Sequence, residues 1–108
     1  MKKIQIPEYQ YYYISKDGKI YNSNNSFKEL KSHQMKNGYQ LVVLNNKNIK
    51  PKGLYIHRLV AQHYIPNPNN FPEINHKNKI RNDNRIENLE WCSKEQNTKH
   101  KYLDLIRL

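Results

Sequence analysis

Glu73-Ile74-Asn75-His76, the polar run Lys77-Asn78-Lys79-Ile80-Arg81-Asn82-Asp83-Asn84-Arg85-Ile86-Glu87-Asn88, and then Leu89-Glu90-Trp91-Cys92-Ser93 decide the fold of this chain. The first four residues form a strand candidate, and Leu89 to Cys92 alternate as a half-buried strand should. Ser93 with Gln96 three residues on forms a capping box, so a helix is predicted from there through Asn97 and His100 to about Leu103. The order is strand, long loop, strand, helix.

Upstream, Pro66-Asn67-Pro68-Asn69-Asn70-Phe71-Pro72 holds three prolines, which exclude a continuous helix or ladder, and a boundary is expected there. Before it, Leu59, Val60, His63 and Tyr64 fall at helical spacing, which predicts a short core helix over 57–65. Further back lie two antiparallel hairpins. Tyr11-Tyr12-Tyr13-Ile14-Ser15 and Lys19-Ile20-Tyr21-Asn22 flank Lys16-Asp17-Gly18, whose Asp-Gly suits a primed turn. The second joins 39–44 to 53–56 through Asn45-Asn46-Lys47-Asn48, with Asn37-Gly38 introducing its first strand. The fold class is therefore α+β: a hairpin-rich part with a short helix over 1–66, and a strand-loop-strand-helix part over 67–108.

Composition bounds the function. The 108 residues suffice for one compact domain or two small subdomains, and no stretch approaches the run of about 20 apolar residues that a membrane span needs. The opening Met1-Lys2-Lys3-Ile4-Gln5-Ile6-Pro7 lacks the apolar stretch of a secretion signal, so an intracellular, cytoplasmic location is expected. Cys92 is the only cysteine, which forbids an internal disulfide and a multi-thiolate zinc site. The net charge of +10 calls for a polyanionic partner. Residues 1–66 carry eleven Lys and Arg against three acids, whereas 67–108 carry eight against six. The first part is thus expected to hold phosphates and the second to host chemistry. Lys28, Lys31, Lys36, Lys47, Lys50, Lys52, Arg58, Lys77, Arg81 and Arg85 are the candidate phosphate contacts.

Twelve-residue polar loops are uncommon in small domains unless they serve a function. This one is bracketed by His76 and Asn88, with Asn97 and His100 at i and i+3 on the following helix. A histidine at a strand end, oxygen and imidazole ligands on a helix and a basic surround are the parts of a metal-assisted phosphodiesterase. Neutral imidazole can take a proton from water near pH 7, and a hard cation can stabilise charge developing on the phosphate. Among the other residues, His57 and His63 read as core or helix-end side chains, His33 as surface, and Trp91 and Cys92 as core.

Several segments in order resemble the HNH homing endonucleases of phages and introns. They are Ile56-His57-Arg58-Leu59-Val60-Ala61, Ile65-Pro66-Asn67-Pro68, Ile74-Asn75-His76-Lys77, Asn82 through Ser93, and Asn97-x-x-His100. Tyr13-Ile14-Ser15-x-x-Gly18-x-Ile20-Tyr21 is similar to the small β module that commonly precedes that nuclease domain. The resemblance implies a ββα-metal fold and a small endonuclease that hydrolyses DNA phosphodiesters with one Mg²⁺ or Mn²⁺ per site. It implies His76 as general base, Asn88 as the residue that pins the loop and keeps His76 aimed, and Asn97 and Asn75 as metal ligands with His100 assisting. Asn75 stands where the family often has Asp, so metal affinity without DNA should be weak. The partner implied is double-stranded DNA, met by a monomer or weak dimer; one site per monomer implies nicking of one strand, and a double-strand break would need a dimer or a second event. Two other classes stay open: a DNA-binding module that keeps the fold without the chemistry, and a phage-encoded inhibitor that turns its basic surface on an acidic protein. Nicking of supercoiled plasmid, binding without nicking, or neither would separate the three.

Overall fold

The computed structural model describes the backbone of all residues except 10, 47, 107 and 108, and the side chains of all but these and 101–106. Among the described residues, nine short strands form three antiparallel sheets, accompanied by two α-helices and three short 3-10 turns. The first sheet contains β1 (Lys2–Lys3), β2 (Tyr12–Ile14), β3 (Ile20–Asn22) and β4 (Lys28–Glu29) in sequential order. Its central hairpin is the expected one, with Gly18 at φ +83° in the turn, a backbone region that suits glycine. The second sheet contains β5 (His33–Gln34), β6 (Gln40–Asn46) and β7 (Ile49–Tyr55). Pro51 is accommodated there because β7 is an edge strand, where a missing N–H costs no ladder bond. Asn37-Gly38, with Gly38 at φ +90°, turns the chain from β5 into β6.

The two sheets are tied at Tyr12. Its buried hydroxyl accepts from the Asn45 N–H at 2.9 Å and donates to the Asn45 carbonyl at 3.1 Å. One apolar core then runs across both parts of the sequence. Ile14, Ile20, Val42 and Leu44 come from the sheets, Leu59, Val60 and Ala61 from α1 (Ile56–Tyr64), and Ile74 and Leu89 from the last two strands. The helix ends as its sequence requires: the Ile65 N–H closes on the Ala61 carbonyl, and Pro66 follows. Trp91 is half-buried against this core, and its indole N–H donates to the Ile65 carbonyl at 3.0 Å.

The third sheet pairs β8 (Glu73–His76) with β9 (Leu89–Cys92), placing Asn75 opposite Glu90 and His76 opposite Leu89. The α2 helix (Lys94–Ile106) packs against β8. The capping box is formed in both directions: Ser93 Oγ accepts from the Gln96 N–H at 3.1 Å, and Gln96 Oε1 accepts from the Ser93 N–H at 3.0 Å. No helix among the described residues is long and apolar enough to cross a membrane. The N-terminal hairpin turn also serves the second part of the chain. The Lys16 carbonyl accepts from the Ile86 N–H at 2.9 Å, and a Cβ on Gly18 would stand 3.1 Å from Asn84 and 3.0 Å from Ile56.

His57, in the first turn of α1, is buried and stacks on Tyr39 with ring centroids 4.7 Å apart. Burial, reinforced by nearby His76 and Arg58, lowers its pKa from 6.5 to about 3. The unfolded chain takes up that proton near pH 6.5 while the folded chain refuses it down to about 3. Stability should therefore fall on acidification through this window, by up to about 1.4 kcal/mol per pH unit for this residue. Urea midpoints at pH 7.5 and 5 should lie closer together in His57→Phe than in the parent. An unchanged gap would show that His57 does not carry the acid sensitivity.

Candidate active site

The loop from Lys77 to Asn88 is organised by hydrogen bonds, because it has little apolar surface of its own. Asn88 is its buckle: Oδ1 accepts from the Asn78 N–H at 3.0 Å, and Nδ2 donates to the Asp83 carbonyl at 2.8 Å. The ladder continues past the strands, with the Lys77 N–H on the Asn88 carbonyl at 2.8 Å. Asn78 adds a second brace, donating to Asp83 Oδ2 at 2.7 Å and accepting from the Ile80 N–H at 2.9 Å. Arg85 clasps the same carboxylate with two bonds at 2.7 and 2.8 Å, and this pairing holds the Asp83 carboxyl well below the usual carboxylate range. Arg85, a candidate phosphate contact, thus has its charge matched within the loop.

His76, buried at the end of β8, is oriented by Asn84, which was not singled out from the sequence. Asn84 Oδ1 stands 2.9 Å from His76 Nε2, and Asn84 Nδ2 donates to Gln40 Oε1 at 3.3 Å. An amide oxygen can only accept, so Nε2 carries the proton and Nδ1 keeps the lone pair. Burial lowers the His76 pKa, with the Asn84 bond and Asp83 opposing the shift and Arg81 adding to it. The imidazole is therefore neutral at physiological pH, as a base must be. The His57 and Tyr39 rings lie 5.1 and 5.8 Å from it and complete an aromatic wall.

A cavity of about 120 Å³ opens beside His76 and is lined by Tyr39, Ile74, Asn75, His76, Lys79, Arg81, Asn97 and His100. The structure thus brings together four of the residues predicted for the site, His76, Asn75, Asn97 and His100, while Asn88 lies behind them in the loop. Asn75 and Asn97 are buried and His100 is half-buried. Each amide donates to a carboxylate, Asn75 to Glu90 at 2.9 Å and Asn97 to Glu73 at 2.6 Å. His100 Nε2 is buried without a hydrogen-bond partner among the described residues. A divalent cation fits this donor set, two amide oxygens and an orphaned imidazole nitrogen. No cluster of three or more His, Cys, Asp or Glu suited to a metal occurs among the described residues, so the amides would have to carry the coordination.

The basic candidates are distributed over the surface. Lys28 on β4, Lys31, Lys36, and Lys50 and Lys52 on the β7 edge are exposed, as is Lys77. Half-buried Arg58 donates to the Pro72 carbonyl at 3.5 Å. Arg81 lies on the cavity rim, 4.8 Å over the Tyr39 ring, and donates to the Asn37 carbonyl at 2.5 Å. Lys47 lies outside the described residues. His33 is exposed, and His63 is held by the Leu59 carbonyl and the Gln5 N–H, away from the site. Glu73, Asn84 and Glu90 are the site residues that sequence reasoning passed over. Strand register alone could have flagged Glu90, since a hairpin pairing His76 with Leu89 sets it opposite Asn75. Asn84 had no such signal, being one asparagine in an asparagine-rich loop.

Residues 54–99 match the HNH endonuclease family. Over 89 residues the chain is 45% identical to an uncharacterized HNH endonuclease of Acanthamoeba polyphaga mimivirus, a match covering 82% of this chain and 26% of the relative. A second mimivirus protein of the same description is 37% identical over 101 residues, 92% of this chain and 25% of its own length. The chain thus spans about a quarter of the length of these relatives. The solved structure of the HNH homing endonuclease I-HmuI, an enzyme that binds and cleaves DNA, superposes with a TM-score of 0.81 at 28% identity, over 95% of this chain and 57% of that one. The resemblance drawn from the ordered motifs and the α+β fold expected from them are both borne out, with the HNH endonuclease match on residues 54–99 and the fold of an HNH homing endonuclease over 95% of the chain.

Proposed function

We propose that this chain is a divalent-metal-dependent endonuclease that hydrolyses DNA phosphodiester bonds and, with one site per chain, nicks one strand. The observation that carries the reading is the convergence of His76, Asn75, Asn97 and His100 from β8 and α2 on one small cavity with Arg81 at its rim. His76 accepts the proton of the attacking water at Nδ1, and Asn84 holds the opposite nitrogen and so fixes the tautomer. Asn75 and Asn97 would hold Mg²⁺ or Mn²⁺ through their amide oxygens, with His100 in support, and the cation would supply stabilisation of the charge that develops on the phosphate. Arg81, pinned on Tyr39, presents its charge beside the same phosphate. The exposed lysines of the first two sheets hold the duplex through its backbone, and the protein acts as a monomer or weak dimer inside the cell that hosts it.

Supercoiled plasmid should become open-circular in Mg²⁺ or Mn²⁺ and stay intact in EDTA. His76→Ala should slow nicking by about 100- to 10,000-fold with duplex affinity nearly unchanged. An alanine variant that nicks at the parent rate removes His76 as the base.

The basic surface makes a separate expectation. Charge neutralisation of Lys50 with Lys52, or Lys28 with Lys31, should weaken binding to all duplexes alike and reduce the slope of log K against log salt by about 0.9 per lost contact. An unaltered slope in both pairs would take those strands out of the interface.

The buckle makes the third. Asn88→Ala should speed amide exchange across 77–87 while Leu89–Cys92 stays protected, and nicking should fall sharply with Mn²⁺ affinity little changed. Loss of activity with loop exchange as slow as in the parent would mean that Asn88 acts directly on metal or phosphate.

A further inference from the structure

The two amides that line the cavity each stand on a carboxylate. Glu73 and Asn75 lie two residues apart on β8 and share a face, and Glu90 is the direct cross-strand partner of Asn75. Asn97 reaches down from α2 to Glu73 at 2.6 Å, while Asn75 donates across the sheet to Glu90 at 2.9 Å. Half-buried Glu73 lies beneath the helix, and Glu90, on the same face, is exposed. The site is thus two neutral amides backed by two negative charges.

This arrangement settles two matters that the amides cannot settle alone. A carboxamide is nearly symmetric in shape, and only its oxygen ligates a hard cation, so half of its orientations are useless. A carboxylate accepts and never donates, so it selects the –NH₂ end and turns the carbonyl oxygen away from itself. Charge is the second matter. The cavity is also lined by cationic Lys79 and Arg81, which oppose the entry of a divalent ion. Two carboxylates one amide away offset them, and each N–H···O⁻ bond pushes electron density toward the amide oxygen that would ligate.

Resting on the metal-dependent reading above, we propose that Glu73 and Glu90 are positioning residues of the cation site, which hold the oxygens of Asn97 and Asn75 toward the cavity and supply the negative charge those ligands lack. A corollary concerns residue 75. An aspartate there would set its own carboxylate at hydrogen-bond distance from that of Glu90, in like-charge repulsion. Asparagine at 75 and glutamate at 90 are therefore matched, and changing either alone disturbs the pair.

Mn²⁺ binding to the full chain without DNA, followed by electron paramagnetic resonance, tests this directly. Glu73→Gln and Glu90→Gln keep the size and one acceptor oxygen, remove the charge and replace the second acceptor by an –NH₂ donor. Each should weaken Mn²⁺ binding by about ten-fold or more. Asn75→Asp should raise affinity more in the Glu90→Gln background than in the parent, with thermal midpoints recorded so that affinity is read on folded protein. A merely structural role would lower the midpoint and leave Mn²⁺ affinity of the folded fraction at the parent value. Parent-like affinity in both glutamine variants, or no coupling between 75 and 90, overturns the positioning role and leaves the nuclease reading standing. A parent chain that binds no Mn²⁺ with or without duplex DNA overturns the metal-dependent reading and this inference together.

Discussion

The side-chain amide of Asn88 grips the loop it terminates, accepting from the Asn78 N–H and donating to the Asp83 carbonyl, and the geometry around His76 rests on that grip. Fixing each loop residue costs about 1 kcal/mol or more of backbone entropy, while a hydrogen bond returns about 0.5–1.5 kcal/mol net. Bonds within the loop therefore roughly break even, and its order needs packing from outside. The N-terminal hairpin supplies it: the Lys16 carbonyl holds the Ile86 N–H, and Gly18 lets the turn close on Asn84. The Gly38 turn meets Arg81 in the same way, with a Cβ there only 3.3 Å from Arg81 Cδ. The first part of the chain is thus a brace for the loop as well as a charged surface.

The bracing has a chemical consequence at His76. Asn84 is itself oriented by Gln40 of β6, so the tautomer of the base is set by a residue of the second sheet. Burial keeps the ring neutral, and His57, still harder to protonate, adds no opposing charge at physiological pH. The Glu90 and Glu73 carboxylates accept from Asn75 and Asn97 and leave the His76 ring to Asn84. In the proposed nuclease, negative charge would thereby back the cation site, and a lone pair would be left for the water.

Much of this was legible in the sequence. Asp17-Gly18, Asn37-Gly38 and Ser93-x-x-Gln96 are local signals whose geometry depends on few neighbours, and the turns and cap they announce are present. The strands flanking the polar loop and the helix after the second hairpin followed from periodicity in the same way. The two-residue strands Lys2–Lys3, Lys28–Glu29 and His33–Gln34 could not be read, because nothing shorter than a period carries a period and they exist only through their partners. In the site, His76, Asn97 and His100 stood out by type and spacing, and Asn75 through the family resemblance. Asn84 and His57 did not, since their proximity to His76 is created by folding across the sheets. The two glutamates were hidden by their ordinariness, for an acidic residue on a strand usually faces solvent.

The central claim is that His76 is held as a neutral base with Nε2 protonated and Nδ1 bare. Nitrogen-15 NMR of ring-labelled protein at pH 7 reads this directly. The account predicts a pyrrole-type shift for Nε2 and a pyridine-type shift for Nδ1, with the two exchanging toward a tautomer average when Asn84 is replaced by Ala. A His76 that is protonated at both nitrogens, or that carries its proton on Nδ1, would contradict it.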